Sequence, residues 1–136
     1  MTTVLVDTSA FVAVQRSREQ EHEAAIHALA ALVERGVRMV ATSYVFAETY
    51  NTLLSREGRW LAFEWGLKAR GGSLVEFVRV DDGMDDAAWK ILASHADKDW
   101  SYVDATSFAL MERENITTAF AFDEHFRQRG VTVIPG

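Results

Sequence analysis

No cysteine occurs in the 136 residues, and that absence removes disulfide frameworks, zinc ribbons and thiol catalysis together. Proline occurs once, at Pro135, and no repeat, low-complexity tract or linker divides the chain, so a single domain over residues 1–136 is expected. No run of about 18 apolar residues is present to span a membrane. The opening residues also lack the basic and long apolar regions of a signal peptide, and the expectation is a cytoplasmic protein. Basic residues are in deficit, 14 Lys and Arg against 20 Asp and Glu for a formal net charge of −6. That balance argues against a protein held on nucleic acid mainly by a basic surface. It does not exclude a nuclease, because acids gathered around a divalent metal make net charge a poor guide to the surface that a substrate meets.

Glycine-rich phosphate cradles are missing too. There is no G-x-G-x-x-G, no Walker A loop and no G-x-S-x-G elbow, so dinucleotide binding, P-loop hydrolysis and serine-hydrolase chemistry have no anchor. Asp7-Thr8-Ser9 lacks the second aspartate of the haloacid-dehalogenase motif, and the acids of a receiver domain are met only in part.

What is present is a folded composition, 49% hydrophobic and 25% charged, with strands and helices in alternation. Val4-Leu5-Val6 is a continuous β-favouring run of the kind buried on both faces, and Asp7-Thr8-Ser9 then offers N-cap chemistry for a helix over 10–14. Helical spacing continues over 18–34, closed by Gly36. A strand over 37–41 precedes a helix capped by Thr42-Ser43 and running to about residue 56. Gly58 separates it from a helix over 59–69 that Gly71-Gly72 stops. A strand over 74–80 and a helix over 81–96 follow, then a connector and a central apolar helix over 102–115. A strand over 118–122, a short helix over 124–129 and a strand over 131–134 close the chain. This alternation predicts βαβ units and a mostly parallel sheet flanked by helices.

Carboxylates carry the chemistry. Asp7 and Asp123 both end a buried-type strand and open a helix, where ligands of parallel sheets bind but where helix caps also belong. If the two strands are parallel, both acids lie on one edge of the sheet. Their mutual repulsion would then be offset most simply by a cation. Ser101-Tyr102-Val103-Asp104 fits a capping box, yet Asp104 shares a helical stripe with Phe108 and Met111 and, facing the core, wants a partner. Glu48 lies on the polar side of its helix with Asn51 and Ser55, away from an apolar face of Phe46, Ala47, Tyr50, Leu53 and Leu54. It is either solvated or the wall of a wet cleft. Asp81, Asp82, Asp85 and Asp86 suit a helix N-terminus, and Asp97 and Asp99 fail the EF-hand pattern at its glycine and final glutamate. Asp99 remains a neighbour in support of Asp104. His22, His27, His95 and His125 form no ligand pair and read as surface or interface residues. Trp60, Trp65, Trp89 and Trp100 read as core or dimer contacts. Arg56, Arg59, Lys68 and Arg70 are the densest basic cluster, able to track an RNA backbone or to form a solvated helix face.

Four ordered motifs, Val6-Asp7-Thr8-Ser9-Ala10, Phe46-Ala47-Glu48-Thr49, residues 97–111 around Asp104, and Phe122-Asp123-Glu124-His125-Phe126, resemble the PIN-domain family over essentially the whole chain, and most nearly its single-domain VapC-type toxins. The resemblance implies a three-layer α/β/α sandwich and a metal-dependent endoribonuclease. Its acidic quartet would fall on Asp7, Glu48, Asp104 and Asp123, with Asp7 and Asp104 the main ligands of Mg²⁺ or Mn²⁺ and Ser9 the hydroxyl residue that follows the first acid. It further implies an RNA substrate, a homodimer and inhibition by a VapB-type antitoxin. The alternatives are a housekeeping PIN nuclease and a non-catalytic α/β interaction module whose acids are only caps.

Overall fold

The computed structural model of the protein describes residues 2–136. Its central strand is β1 (Thr3–Val6), in which Val4, Leu5 and Val6 are all buried. Successive side chains of a strand point to opposite faces. Leu5 accordingly joins a core with Val40, Phe108 and Phe126, while Val4 and Val6 join another with Ala10, Leu32 and Phe120. β2 (Arg38–Thr42) and β4 (Thr118–Phe120) flank β1, with β3 (Val75–Val78) and β5 (Thr132–Ile134) outside them, so the order is β3-β2-β1-β4-β5 and every pairing is parallel.

Helices cover both faces, as the α/β/α expectation requires. α1 (Thr8–Gln15) and α2 (His22–Glu34) supply the core on the Val4 side; α5 (Asp82–Ala93), α6 (Tyr102–Glu114) and α7 (Glu124–Gln128) supply the core on the Leu5 side. Residues 104–111 of α6 are buried without interruption, which makes it the central helix. α3 (Ser43–Glu57) and α4 (Arg59–Gly71) form a hairpin held against α1 and β3 by an aromatic cluster. Within that cluster Phe46 and Trp65 have ring centroids 5.0 Å apart, and Phe11 stacks on Phe77 at 5.7 Å. The chain adds β2 and β3 on one side of β1 and β4 and β5 on the other, so the strand order reverses between β1 and β4. That reversal is where open parallel sheets hold their ligands, outside the carboxyl ends of the strands.

Several predicted boundaries shift for identifiable reasons. The helix expected from residue 18 starts at His22, because residues 16–21 form turns closed by Glu19 N–H to Arg16 C=O (3.0 Å) and His22 N–H to Glu19 C=O (3.1 Å). The strand expected over 74–80 contracts to β3 as Val80 N–H turns to Ser43 Oγ (3.0 Å). The strand expected to reach residue 122 stops at Phe120, and Phe122 N–H bonds Ser9 Oγ (2.9 Å) instead. The buried line of α3 is Val45, Thr49 and Leu53, with Ala47 and Leu54 exposed. It differs from the expected face because α3 packs against α1, α4, α6 and the sheet together. Of the tryptophans, Trp65 and Trp100 are core residues and Trp60 and Trp89 are exposed. Among the described residues no helix is long and apolar enough to cross a membrane.

Gly58 joins α3 to α4 with φ +94° and ψ 171°, a region open only to glycine, although a Cβ there would meet nothing within 4 Å. Gly58→Ala is therefore expected to destabilise the protein by about 1–3 kcal/mol through backbone strain alone. Urea denaturation of both proteins measures it, and an unchanged midpoint would show that the joint relaxes without cost.

Candidate active site

Asp7 follows β1 directly and prolongs its ladder, its N–H donating to Phe120 C=O at 3.0 Å. Its side chain caps α1: Oδ2 accepts from Ser9 N–H (3.1 Å) and from Ser9 Oγ–H (2.7 Å). Ser9 Oγ in turn accepts from Phe122 N–H (2.9 Å), which ties the end of β1 to the chain leaving β4. Asp104 caps α6 and lines the same cleft as Asp7. Ser101 Oγ accepts from Asp104 N–H (3.0 Å) while Asp104 Oδ2 accepts from Ser101 N–H (3.1 Å), completing the capping box of α6 with a carboxylate only 6% exposed. Asp123 caps α7, its Oδ1 accepting from His125 N–H at 2.8 Å.

The histidine expected at the surface lies among these acids. His125 Nδ1 is 2.6 Å from Asp104 Oδ2 and 3.2 Å from Asp123 Oδ1, so the ring cross-links the starts of α6 and α7. A signal for it was present: Asp123-Glu124-His125 has the same two-residue offset as Asp7-Thr8-Ser9, and in both the later residue holds the capping acid. The three aspartates share a pattern. Each commits one oxygen to the scaffold (Oδ2 of Asp7 and Asp104, Oδ1 of Asp123), and the other makes no hydrogen bond to any described residue.

These residues line a cleft of about 420 Å³, which Glu48, Thr52 and Arg56 of α3 also line. Glu48 takes the wet-cleft side of its alternatives and makes no hydrogen bond among the described residues. The structure thus brings Asp7, Glu48, Asp104, Asp123 and Ser9 to one cleft. Asp99 is exposed in the connector before α6 and is not among the lining residues.

Burial pushes the Asp7 carboxyl up to about 7, the Ser9 hydrogen bond resisting and the negative charges of Asp104 and Asp123 adding to the rise. For His125, burial pulls the imidazole down. The hydrogen bond to Asp104 and the charges of Asp123, Asp104 and Asp7 outweigh it and leave the ring above its ordinary value. The cleft therefore favours added positive charge. Asp104, Asp123 and His125 each offer a ligand atom within 4.8 Å of the others, and Thr8, also lining the cleft, has a buried Oγ1 without a partner. Two carboxylates and an imidazole at this spacing fit a divalent cation, and Asp7, lining the same cleft, stands outside that group.

A family model described as PIN domain matches residues 4–131. The chain belongs to the PIN-domain family. Among curated proteins it is similar to the 23S rRNA-specific endonuclease VapC20 of Mycobacterium tuberculosis, strain H37Rv, at 31% identity over 127 residues, 93% of this chain and 94% of that protein. The crystal structure of M. tuberculosis VapC20, described as a sarcin-ricin loop cleaving toxin, superposes with a TM-score of 0.86 at 28% identity, covering 95% of this chain and 96% of that one. VapBC2 from Rickettsia felis, bound to a DNA fragment from its promoter, shares the PIN fold at a TM-score of 0.72, 12% identity and 97% coverage of both chains.

Unfolded, Asp7 ionises near 3.8, whereas in the native PIN domain it keeps its proton to about 7. Between those values the native state holds a proton that the unfolded chain has released, so Asp7 makes the metal-free protein less stable as pH rises from about 4 to about 7, with no further change above. Asp7→Asn removes this liability. The variant is expected to gain over wild type progressively across that window, reaching at most about 4 kcal/mol at pH 8 at about 1.4 kcal/mol per pKa unit. Urea denaturation in a chelator at pH 4, 6 and 8 checks it, and a stability difference independent of pH would mean that Asp7 ionises normally.

Proposed function

We propose that this chain is a VapC-type toxin: a metal-dependent endoribonuclease of the cytoplasm that cleaves RNA phosphodiester bonds, works as a homodimer and is neutralised by a VapB-type antitoxin. The observation that carries the reading is the convergence of Asp7, Asp104 and Asp123 on one cleft with an unused oxygen each, in a PIN domain 31% identical to an rRNA endonuclease. The VapBC2 structure of the same fold supports a VapB-type antitoxin as partner.

In this reading Asp7 and Asp104 would be the main ligands of Mg²⁺ or Mn²⁺, with Asp123 and Glu48 completing the site directly or through water. The chemistry supplied when such an ion is bound is acidification of a water for attack on phosphorus and neutralisation of the charge that develops there. Ser9 orients the Asp7 carboxylate, and His125 keeps Asp104 and Asp123 at a set separation. Glu48, which lines the same cleft, would orient water there. Building the acids on strand ends and helix starts holds them rigidly.

Purified protein is expected to cleave RNA with Mn²⁺ or Mg²⁺ and not in EDTA, with ribosomal RNA the first substrate to try because the VapC20 relative acts on 23S rRNA. Asp104→Asn should lose cleavage and any growth arrest on expression while remaining folded. Mn²⁺ at 100 times its Kd should stabilise the wild type by about 2.7 kcal/mol and leave Asp104→Asn nearly unaffected. A variant that still cleaves and arrests growth like wild type would overturn the assignment of Asp104, and wild-type protein inert toward RNA with every divalent ion would return the acids to the role of helix caps.

A further inference from the structure

A strand of RNA brought to this cleft meets Asp7, Glu48, Asp104 and Asp123, with Glu19 and Glu21 at the rim, an arrangement that repels phosphate everywhere except where a cation stands. Among the described residues only one arginine or lysine lines the cleft, Arg56. A second cavity, of about 550 Å³, runs along α3 past Tyr44, Asn51 and Ser55, and it meets the acidic cleft at the residues both share: Glu48, Thr52 and Arg56. Those three are four residues apart in turn, so they form one row on the helix. Arg56 is about 12 Å along the axis from Glu48, at about 1.5 Å per residue.

The basic cluster read from the sequence does not act together. Arg59 lies over the Phe63 ring at 4.7 Å, Arg70 near the Phe46 ring at 5.8 Å, and Lys68 borders an apolar pocket on the other side of α4. Arg56 alone turns to the cleft, and its present partner holds it weakly. Arg16 and Arg56 both address the same oxygen of Glu19, Oε1, and Arg16 is also held by Glu57 Oε2 at 2.9 Å. Arg56 keeps only the 3.2 Å contact to the shared oxygen, and its side chain is 53% exposed against 17% for Arg16. An exposed pair of this kind is easily exchanged for another anion.

We infer that Arg56 is the phosphate-binding residue that seats the RNA strand along α3, and that Glu19 holds it until RNA arrives. The inference rests on the ribonuclease reading above and adds to it the path of the substrate and the residue that positions it. Charge-assisted contact from a guanidinium to phosphate oxygens is strong and bidentate, and it supplies here the affinity that an acidic protein cannot take from its net charge.

Single-turnover cleavage, with protein in excess over an RNA that the wild type cuts, yields a half-saturating protein concentration and a limiting rate. Arg56→Ala is expected to raise the half-saturating concentration about tenfold with a smaller effect on the limiting rate, and to make its dependence on log salt shallower by about 0.7, the share of one phosphate contact on a single strand. Arg56→Lys should recover the salt dependence and only part of the affinity. Glu19→Gln should lower the half-saturating concentration. Wild-type saturation and salt dependence in Arg56→Ala would overturn the inference while leaving the ribonuclease reading intact. So would a fall in limiting rate alone, the mark of a residue that only supports the end of α3. A wild type that cuts no ribosomal, transfer or messenger RNA would remove both readings together.

Discussion

Asp7 sits at the end of a strand buried on both faces, and the pairing of that strand with β4 is the constraint from which the site follows. Parallel register sets Val6 opposite Phe120, and the next ladder bond, from Asp7 N–H to Phe120 C=O, fixes where the first acid stands relative to the chain that leads to Asp123. Ser9 then closes the gap by bonding both sides of the junction. A slip of this register by one residue would turn Val4 and Val6 away from their core, so the same hydrophobic burial that stabilises the sheet also holds the acids together. Site and fold share one cause.

Three aspartates in one cleft repel each other, and the fold meets that cost locally. Each lies in the first turn of a helix or at its cap: Asp7 at α1, Asp104 at the third position of α6, Asp123 at α7. Helix starts carry partial positive charge and unpaired N–H groups, which take one oxygen of every carboxylate. His125 adds a ring shared between two of them. Asp7, the most deeply buried of the three, still has its carboxyl pushed up to about 7 by that burial. Capping, posed by the sequence patterns as an alternative to a site, does not use up these side chains: one oxygen of each serves the helix and the other makes no hydrogen bond to any described residue.

Much of this was legible before the structure. The apolar run before Asp7, the similar run before Asp123 and the capping box at Asp104 are local patterns whose meaning depends on a few neighbours; the first and third held as read, and the second held as a strand that ends at Phe120. The start of α2 and the buried face of α3 were not legible in the same way. Residues 16–21 are drawn out of a helix by turns and by the ion pairs of Arg16 with Glu19 and Glu57, the second of which is 41 residues away. α3 touches four neighbours at once, so a helical wheel with a single apolar face could not describe it. His125 was harder to read for another reason: Asp123 stands two residues before it, but Asp104 becomes its neighbour only when α6 and α7 meet.

The sequence by itself determined which strands are buried, where helices begin on acids and hydroxyls, and that no thiol, serine or glycine-loop chemistry is open to the chain. These follow from side-chain type and short-range hydrogen bonding, and they carry over into any compatible fold. Tertiary structure alone decided that the strand order reverses beside Asp7, that Glu48 lines the same cleft as the acids, that His125 bridges Asp104 and Asp123, and that Arg56 is, among the described residues, the one arginine or lysine lining that cleft. Those are relations between elements far apart in the chain. Their geometry is set by packing against the sheet, which no window of neighbouring residues contains.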